Sequence, residues 1–441
     1  MKDGSESKIS LVPYKGVRDF YPDQMSEQNF ILNTMRKVAE SFGYEEYSAS
    51  LLEPSELYKA KSGDEIVNEQ TYSFTDRGGR EVTLRPEMTP SLARMVAAKR
   101  REIPLPLRWF SIPNIFRYEN PQRGRTREHW QLNVDIFGVS GIEAEIEVIS
   151  VAREILRSYG AKDEMFEIRI NNRALQNALL SSYALSETDK KNVMKILDRK
   201  DKMSHQEFEE KANVILRSNA PEFRKLTEAR DIDGFLALAP EAVRQSQGAS
   251  EVRELMKVLK EGGVTAIFSP CLTRGFDYYT RTVFEIFDTG ENNKRALFGG
   301  GRYDDLLDIF GAEELTAFGF GVGDVTMRDF LETYGLLPKN QSSTHLYICV
   351  VPDTAFSAVN RASELLRQKG VNVAVDFSNK KIGDQIKTAV RKNIPFTMVM
   401  GGDEFGSGRF RLKELATGAE ETLKLEDAAD AILQKTSSAK T

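Results

Sequence analysis

The pattern of apolar and polar residues divides most of the chain into three blocks. From about residue 16 to 170, segments with helical spacing alternate with strand-like segments. From about 173 to 260 the sequence is helix-rich and highly charged, and glycine-rich, strand-like sequence returns from 268 to about 323. This order predicts one mixed α/β domain, residues 16–337, that is interrupted by a helical insertion at about 173–260.

A second unit follows a polar linker at residues 338–343. Apolar strands alternate there with amphipathic helices, at residues 345–351, 357–369, 371–377, 382–392 and 396–400. The βαβαβ order predicts a small domain at 344–434 with a mostly parallel sheet. The polar ends of the chain are predicted to be an N-terminal tail at 1–15 and a disordered tail at 435–441.

Composition restricts the class of protein. A chain of 441 residues with 40% hydrophobic and 29% charged residues is typical of a globular protein with two or three domains. Its first ten residues are polar and charged, which does not fit a secretory signal, and no apolar run approaches the ~20 residues that span a bilayer. We therefore expect a cytoplasmic protein with no membrane attachment.

Metal and disulfide chemistry have little support in the residue counts. Cys271 and Cys349 are the two cysteines, and they are far apart in the sequence, which gives no disulfide framework. Three scattered histidines and two cysteines also argue against a zinc site, so we expect no protein-bound metal. The net charge of −5 means that any contact with a nucleic acid must depend on local basic patches.

The segment 272–285 concentrates polar and aromatic side chains where the pattern otherwise predicts a strand. Because neighbouring side chains in a strand face opposite ways, we expect Tyr278 and Tyr279 not to share one apolar layer. A half-buried strand with a salt-bridged arginine would explain the segment equally well. The residues R-G-F-D-Y-Y-T-R-T-V-F-E nevertheless closely resemble the histidine-binding signature of histidyl-tRNA synthetases.

Residues 116–138 predict a β-hairpin with a long, arginine-rich tip. On its return strand Gln131, Asn133 and Asp135 share one face, and the intervening apolar residues share the other. A solvated sheet edge would show the same stripe, but Arg117 precedes the loop and can face the same surface. The pattern resembles the second signature motif of class II aminoacyl-tRNA synthetases. In that family the arginine before the loop holds the ATP α-phosphate and the amino-acid carboxylate.

Two further segments resemble the same family. The run T-L-R-P-E-M-T at 83–89 reads by itself as a helix start with an acid in its first turn, and it resembles the loop that binds the substrate ammonium group. A helix at 28–42 that leads to a strand ending at Glu53 and Pro54 resembles the first class II motif, which forms the dimer.

The glycine-rich segments are less regular. Phe298 to Leu306 lacks the lysine and spacing of a phosphate-binding loop and is explained by a tight turn, but it resembles a G-G-R-Y-D segment on the floor of the family's active site. The strand at 318–323 fits the third class II motif, whereas Asp324 and Val325 stand where Glu-Arg is expected. We hypothesise that Arg328, three residues beyond Val325 and on nearly the same helix face, reaches the nucleotide instead.

This resemblance covers nearly the whole chain and implies a fold and a reaction. The implied fold class is α/β (α+β): a class II catalytic domain with an antiparallel sheet and flanking helices, a helical insertion, and a C-terminal α/β anticodon-binding domain. The implied enzyme is a histidine–tRNA ligase, which forms histidyl-adenylate from L-histidine and ATP and then transfers the histidyl group to tRNA(His). Mg²⁺ would accompany the ATP, and the protein would be a homodimer.

The resemblance also implies roles for individual residues. Arg117 and Arg274 would be catalytic, on opposite sides of the α-phosphate. The residues expected to bind histidine are Glu87, Met88, Thr89, Arg117, Gln131, Asp135, Arg274, Tyr278 and Tyr279, with Asp135 and Tyr279 at the imidazole. The residues expected to bind ATP are Arg117, Arg125 and Arg328, and those expected to bind tRNA are Gln122 and Arg127. Basic residues at 380–392 could meet anticodon phosphates, or they could be one solvated helix face.

Three alternative functions are open. The family has a non-catalytic paralogue, the regulatory subunit of ATP phosphoribosyltransferase, which binds histidine without charging tRNA. The altered third motif favours it, while the C-terminal domain and the intact R-G-F-D-Y-Y signature disfavour it. A class II synthetase for another amino acid should lack the paired Tyr278 and Tyr279, and a plain RNA-binding protein has no use for so many converging polar residues.

Overall fold

The structure of the protein is a computed structural model that describes residues 9–59, 70–200, 203–273, 278–290, 296–338 and 342–438. The chain divides into two units, Met1–Leu337 and Pro338–Thr441. No helix in these described ranges is long and apolar enough to cross a bilayer.

Within the described residues of the first unit, a nine-stranded sheet is the main element. The strands of the unit are β1 (Glu45–Glu46), β2 (Leu52–Pro54), β3 (Tyr72–Thr75), β4 (Glu81–Leu84), β5 (Leu107–Ser111), β6 (Asn114–Phe116), β7 (Glu128–Phe137), β8 (Phe166–Asn172), β9 (Ala266–Phe268), β10 (Thr282–Asp288), β11 (Ala296–Arg302) and β12 (Ala317–Gly323). The large sheet has the order β1–β5–β7–β12–β11–β10–β8–β9, with β6 paired to β7, and its central pairs are antiparallel. Strands β2, β4 and β3 form a separate small sheet.

The helices of the first unit lie between these strands along the chain. They are α1 (Pro22–Ser41), α2 (Ser55–Lys59), α3 (Thr89–Ala98), α4 (Glu143–Ser158), α5 (Arg173–Ser182), α6 (Glu187–Asp198), α7 (His205–Leu216), α8 (Ala220–Thr227), α9 (Ile232–Leu238), α10 (Glu241–Arg244), α11 (Gln247–Glu261) and α12 (Asp324–Thr333). Short 3₁₀ turns lie at Asp163–Met165, Arg217–Asn219 and Asp304–Phe310.

The main core lies between the large sheet and three helices, α1, α4 and α12. In α4 the buried residues Val148, Ala152 and Ile155 recur every three or four positions, so they form one apolar stripe along the helix. Leu132 and Val134 of β7 contribute to the same core. These helices cover one face of the sheet, and the opposite face of β7 is left for polar side chains.

Helices α5 to α11 form the helical insertion and have an apolar cluster of their own. Several of them begin at a residue whose side chain accepts a backbone N–H of the first turn, namely Asn172, Ser186, Ser204, Asp231 and Ser246. The observed α/β class with a helical insertion confirms the predicted fold class.

The second unit contains β13 (Leu346–Val350), α13 (Phe356–Gln368), β14 (Val373–Val375), α14 (Ile382–Arg391), β15 (Phe396–Met400), α15 (Gly402–Ser407), β16 (Phe410–Glu414), β17 (Glu420–Leu423) and α16 (Leu425–Ser438). Strands β14, β13 and β15 are parallel, as the βαβαβ pattern predicts. Strands β16 and β17 add an antiparallel edge. Helix α16 runs to Ser438, which corrects the prediction that the chain is disordered from residue 435.

Candidate active site

One face of β7 carries polar side chains. Gln131, Asn133 and Asp135 alternate along the strand with Leu132 and Val134, which belong to the main core. The side chains of Gln131 and Asn133 are joined by a hydrogen bond of 2.6 Å from Nε2 to Oδ1. Asn133 and Asp135 are buried, so this stripe is not the solvated edge that the sequence left open.

Glycines on the neighbouring strands leave room beside this stripe. In the register of the sheet Asp135 lies opposite Gly319, and Gly319 lies opposite Gly301 on β11. A Cβ on Gly319 would come within 2.1 Å of Oδ1 of Asp135, and one on Gly321 within 2.6 Å of Nε2 of Gln131. Glycine is therefore required at these two positions of β12, because a side chain there would overlap with the polar side chains of β7.

Asp135 is held at one oxygen and open at the other. The phenol of Tyr303 donates a hydrogen bond to Oδ1 of Asp135. Among the described residues, Oδ2 of the same carboxyl is buried and has no hydrogen-bond partner. A buried acceptor without a partner is costly in a folded protein, so its orientation is typical of a group that binds a ligand.

The electrostatics of this pair follow from burial. Loss of solvent raises the pKa of Asp135 to about 7, and the hydrogen bond from Tyr303 offsets only part of that shift. Burial and the nearby carboxyl also raise the pKa of Tyr303 well above its usual value of 10.0. Tyr303 therefore stays a hydrogen-bond donor, while Asp135 exchanges its proton near neutral pH.

Four tyrosines of one apolar cluster lie on this side of the sheet, and we call Tyr47, Tyr278, Tyr279 and Tyr303 the tyrosine cluster. Of these, Tyr303 and Tyr47 interact with Asp135. The rings of Tyr278 and Tyr279 are 5.0 Å apart, and those of Tyr278 and Tyr303 are 5.9 Å apart. The prediction that adjacent tyrosines could not share an apolar layer is wrong. They precede β10 in a turn, where side chains need not alternate.

Glu87 is a second buried carboxyl beside the same cluster. The phenol of Tyr278 donates to its Oε2 over 3.1 Å. Tyr278 is also close to Thr89, the first residue of α3, and Met88 is fully buried in the same apolar cluster. The segment 83–89, which was predicted to bind an ammonium group, therefore adjoins Tyr278. Glu87 is in position to accept a hydrogen bond from a cationic group.

Two polar residues of this site carry no signal in the sequence. Tyr47 stacks on Trp109 at 5.5 Å, and its hydroxyl lies beside that of Ser111. Both hydroxyls are buried, and neither makes a hydrogen bond to any other described residue. Trp109 lies opposite Asp135 and Ser111 lies opposite Asn133 of β7, which brings these groups to the same polar face.

Arg117 lies at the entrance to the hairpin loop, as predicted. Its Nε donates to the carbonyl of Pro86 over 2.7 Å, which ties it to the segment that carries Glu87. His129, in line with Gln131 on β7, is nearby. Burial and repulsion by Arg117 lower the pKa of His129 to about 3, so its imidazole is neutral.

Known proteins resemble this chain over nearly its whole length. The sequence profile described as histidyl-tRNA synthetase matches residues 16–324, and the profile described as anticodon binding domain matches residues 345–435. The chain belongs to the histidyl-tRNA synthetase family. A histidine–tRNA ligase of Leptospira biflexa is 41% identical over 440 residues, which are 98% of this chain and 99% of the relative.

More distant members of the histidyl-tRNA synthetase family agree with this assignment. A histidine–tRNA ligase of Thermoplasma volcanium is 36% identical over 434 residues, 96% of this chain and 98% of the relative. The crystal structure of histidyl-tRNA synthetase from Nostoc sp. PCC 7120 has the same fold, with a TM-score of 0.82 at 23% identity, and the match covers 97% of this chain and all of that one. Profile and relatives together confirm the family that the motifs predicted.

The hairpin loop carries three residues to which the histidyl-tRNA synthetase resemblance assigned roles. Gln122 and Arg125 pair through their backbones at the tip, and Arg125 lies 3.3 Å from Glu119. Arg127 is only 7% exposed, and its guanidinium lies over the ring of Tyr118 at 4.0 Å and donates to the hydroxyl of Tyr14. This position argues against the predicted contact of Arg127 with tRNA, because its side chain fastens the N-terminal segment to the loop.

The altered third motif of this histidyl-tRNA synthetase has a structural explanation. Asp324 is fully buried and accepts hydrogen bonds from Arg18 and Gln28, both at 2.8 Å, and from the backbone N–H of Trp130. It joins the N-terminal segment, α1 and β7 at the start of α12. Arg328, the predicted substitute contact for ATP, pairs with Glu27 of α1 at 2.7 Å.

Arg274, the second predicted catalytic arginine, lies outside the described residues. The residue before it is anchored: the hydroxyl of Thr273 donates to Asp198 over 3.2 Å, and the Thr273 carbonyl accepts from Arg173 over 2.9 Å. Tyr278, on the other side of this gap, belongs to the tyrosine cluster. The described residues on either side of 274–277 are therefore attached to the first unit by specific contacts.

Proposed function

We propose that this protein is a histidine–tRNA ligase whose amino-acid site is the space between Asp135 and Glu87. The observation that carries the proposal is the open Oδ2 of Asp135, a buried acceptor inside the tyrosine cluster, in a chain that matches histidine–tRNA ligases over nearly its full length. The enzyme joins the histidine carboxylate to the α-phosphate of ATP and then transfers the histidyl group to tRNA(His).

Two carboxyls give this site its preference for histidine. Oδ2 of Asp135 accepts a hydrogen bond from one imidazole N–H, and Tyr279 is the candidate for the other ring nitrogen. Glu87, Thr89, Tyr278 and Gln131 surround the α-ammonium group, and Met88 closes the pocket behind them. Because buried polar groups lose their partners when an apolar amino acid binds, the site rejects such analogues strongly.

Positive charge around the α-phosphate supplies the catalysis. The histidine carboxylate and the phosphate repel each other, so cations fixed in advance stabilise the transition state most. Arg117, held at Pro86 beside Glu87, is in position to serve one side. By resemblance Arg274 serves the other, and Arg125 and Arg328 contact the rest of the nucleotide, which enters as its Mg²⁺ complex.

The remaining partners follow from the family. Gln122 at the hairpin tip is a candidate contact for the acceptor end of tRNA(His), and the second unit binds the anticodon. A homodimer is supported by exposed apolar residues on the small sheet, where Leu52 is 43% and Phe74 50% exposed. We place the enzyme in the cytoplasm, where charged tRNA is used.

The regulatory-subunit alternative was favoured by the third motif, in which Asp324 and Val325 stand where Glu-Arg is expected. Asp324 has three hydrogen-bond donors of its own, so packing explains the acid at this position. Arg328 is our candidate for the arginine that is missing at Val325, so the altered motif does not by itself indicate a lost activity.

The decisive experiment is ATP–pyrophosphate exchange with the purified protein, in the presence of each amino acid in turn. Exchange that depends on histidine alone is the expected result. Histidine binding without any exchange would identify a regulatory subunit instead. Exchange with a different amino acid would show that the pocket has been misassigned.

A further inference from the structure

Arg281 bridges two carboxylates that belong to distant segments of the first unit. Its Nη1 donates to Oε1 of Glu251 over 3.1 Å, and its Nε lies 4.0 Å from Oδ2 of Asp304. Glu251 lies on α11 of the helical insertion, whereas Asp304 directly follows Tyr303 in the sequence. A guanidinium presents five N–H donors in one plane, so a single arginine can hold two acids at once.

The contacts continue from Asp304 into the buried core. Oδ1 of Asp304 accepts from Arg302 over 3.4 Å and from the backbone N–H of Ala317 over 3.1 Å. Arg302 is 1% exposed and donates through its Nε to Glu145 of α4 over 2.7 Å. Negative and positive groups therefore alternate from the insertion to α4. We call this series the ion-pair chain, and its members are Glu251, Arg281, Asp304, Arg302 and Glu145.

The insertion end of the ion-pair chain is fixed by the packing of two helices. Oε2 of Glu251 accepts from Nδ2 of Asn172 over 2.9 Å, and the side chain of Asn172 also caps α5. Gly248, about one turn before Glu251 in α11, lies close to the start of α5. A Cβ on Gly248 would be 2.5 Å from the backbone nitrogen of Leu175. The position of the Glu251 carboxylate is therefore set by the contact between α5 and α11.

Next to Arg281, the backbone joins the signature segment to the floor of the site. The backbone N–H of Thr280 donates to the carbonyl of Arg302 over 2.8 Å. The hydroxyl of Thr280 accepts from the backbone N–H of Asp304 over 3.4 Å. Arg281, the next residue, adds its side-chain contact to the same Asp304. The segments 280–281 and 302–304 are thus held together by both backbone and side-chain contacts.

Two tyrosines of the amino-acid site stand on these joined segments. Tyr279 directly precedes Thr280, and its ring lies so close to Gly301 that a Cβ there would be 2.7 Å from it. Tyr303 lies between Arg302 and Asp304, and its hydroxyl donates to Asp135. A shift of Asp304 would therefore move Tyr303, and through it the carboxyl that is open to a ligand.

Stability alone gives a poor account of Arg281. Its side chain is 37% exposed, and an ion pair in contact with water contributes little to the stability of a fold. The buried pair of Arg302 and Glu145 is different, because it connects two parts of the core. The position of Arg281 is explained better by the site, since binding groups must be held closely in place by a supporting layer of contacts.

We propose that Arg281 is a positioning residue for the histidine site, which holds Tyr303 in place through Asp304 and uses Glu251 of the helical insertion as its anchor. This inference rests on the proposed function, because it concerns the support of the same amino-acid site. It assigns the insertion a part in amino-acid binding. A charge on α11 should then change the affinity for histidine.

The test compares Arg281→Ala, Glu251→Gln and the double variant in the full-length enzyme. We expect each single variant to raise the KM for histidine in ATP–pyrophosphate exchange about three- to fivefold, with a much smaller change in kcat and in the KM for ATP. The double variant should be no worse than Arg281→Ala, because both changes remove the same link. Arg281→Lys keeps a cation that can pair with one carboxylate, so its KM should lie between those of the native enzyme and Arg281→Ala.

A matched control lies on the same helix. Arg253→Ala breaks the exposed pair of α11 with Asp233, and it should leave the KM for histidine at the native value. Melting temperatures of all variants separate positioning from stability. A lower melting temperature in Arg281→Ala with a native KM for histidine would overturn the proposal. Fully additive effects in the double variant would also overturn it, since Arg281 and Glu251 would then act independently.

Calorimetric titration of histidine distinguishes a failure of this inference from a failure of the proposed function. Absence of histidine-dependent exchange in the native protein would defeat the proposed function. The Kd for histidine can still be compared between native protein and variants, because binding requires no turnover. A three- to fivefold weaker Kd in both single variants supports the positioning role, and equal Kd values would exclude it.

Discussion

Tyr303 donates a hydrogen bond to Asp135 across 168 positions of sequence, and this contact decides which oxygen of the carboxyl is available. With Oδ1 committed to Tyr303, only Oδ2 remains to accept from a ligand. The tyrosine also prevents the carboxyl from rotating. We predict that Tyr303 is a positioning residue, which acts on the substrate through Asp135.

Replacing Tyr303 with phenylalanine should therefore weaken histidine binding more than turnover. A hydrogen bond to a charged group contributes about 1.5–3 kcal/mol, so we expect the KM for histidine in pyrophosphate exchange to rise about tenfold or more, with a much smaller change in kcat. Tyr159→Phe is the matched control. It also removes a buried phenol hydrogen bond, to the carbonyl of Ile31, outside the site. A Tyr303→Phe enzyme with native KM would rule out the positioning role.

The affinity for histidine should depend on pH through Asp135. Its pKa is raised from 3.8 to about 7, so below neutrality the carboxyl is protonated and is a poorer acceptor for an imidazole N–H. We expect the KM for histidine to fall as the pH rises through about 7.

Substrate imidazole titrates near 6.5 and contributes its own pH dependence. Asp135→Asn separates the two effects, because it leaves only the substrate's titration while preserving the size of the side chain. If native and variant enzymes gave parallel pH profiles of KM, Asp135 would not be the titrating group.

Gly319 should tolerate no side chain. A Cβ at this position would lie 2.1 Å from Oδ1 of Asp135 and 2.7 Å from the carbonyl oxygen of Val134, so Gly319→Ala must displace the carboxyl or the strand. We expect loss of histidine-dependent exchange together with a lower melting temperature. Gly383→Ala is the control, since nothing lies within 4 Å of its Cβ position. It should keep activity and gain stability by roughly 0.5–1 kcal/mol, because alanine favours the helix. An active Gly319→Ala enzyme would contradict the steric argument.

Asp324 should matter for stability. Removing one partner of a buried ion pair leaves the other uncompensated, so Asp324→Ala should lower the free energy of unfolding by about 3–5 kcal/mol in denaturant titrations. Asp329→Ala breaks the exposed pair with Arg123 and should cost about 1 kcal/mol or less. Similar losses in the two variants would mean that Asp324 is not the structural anchor described above.

Arg328 tests the nucleotide assignment. If it contacts ATP, Arg328→Ala should raise the KM for ATP about tenfold while the Kd for histidine stays unchanged. Arg123→Ala, which removes an exposed cation that pairs with Asp329 of α12, serves as the control for a lost surface cation. An unchanged KM for ATP would show that Arg328 does not contact the nucleotide and that it only forms the ion pair with Glu27.

The sequence by itself determined the main elements and the family, and it predicted several residues that the structure brings together, among them Glu87, Asp135 and Tyr278. Hydrophobic periodicity separated the α/β block from the charged helical insertion, because that pattern is local in the chain. The alternation of Gln131, Asn133 and Asp135 was readable for the same reason, since a strand repeats every two residues. The sequence predicted that the glycine-rich segments form a tight turn or the floor of the site. It did not predict that the glycines of β12 leave space for the polar side chains of β7.

Only the tertiary structure decided how these residues are used. Tyr47, Ser111 and Tyr303 come from distant segments, and no local pattern reveals that their hydroxyls reach the face that carries Asp135. The sequence suggested Arg127 as a contact for tRNA, and only the fold shows that its guanidinium lies over the ring of Tyr118. Tyr278 and Tyr279 share a layer because they lie in a turn. Contacts between distant segments depend on packing, and packing is the information that a single sequence carries least directly.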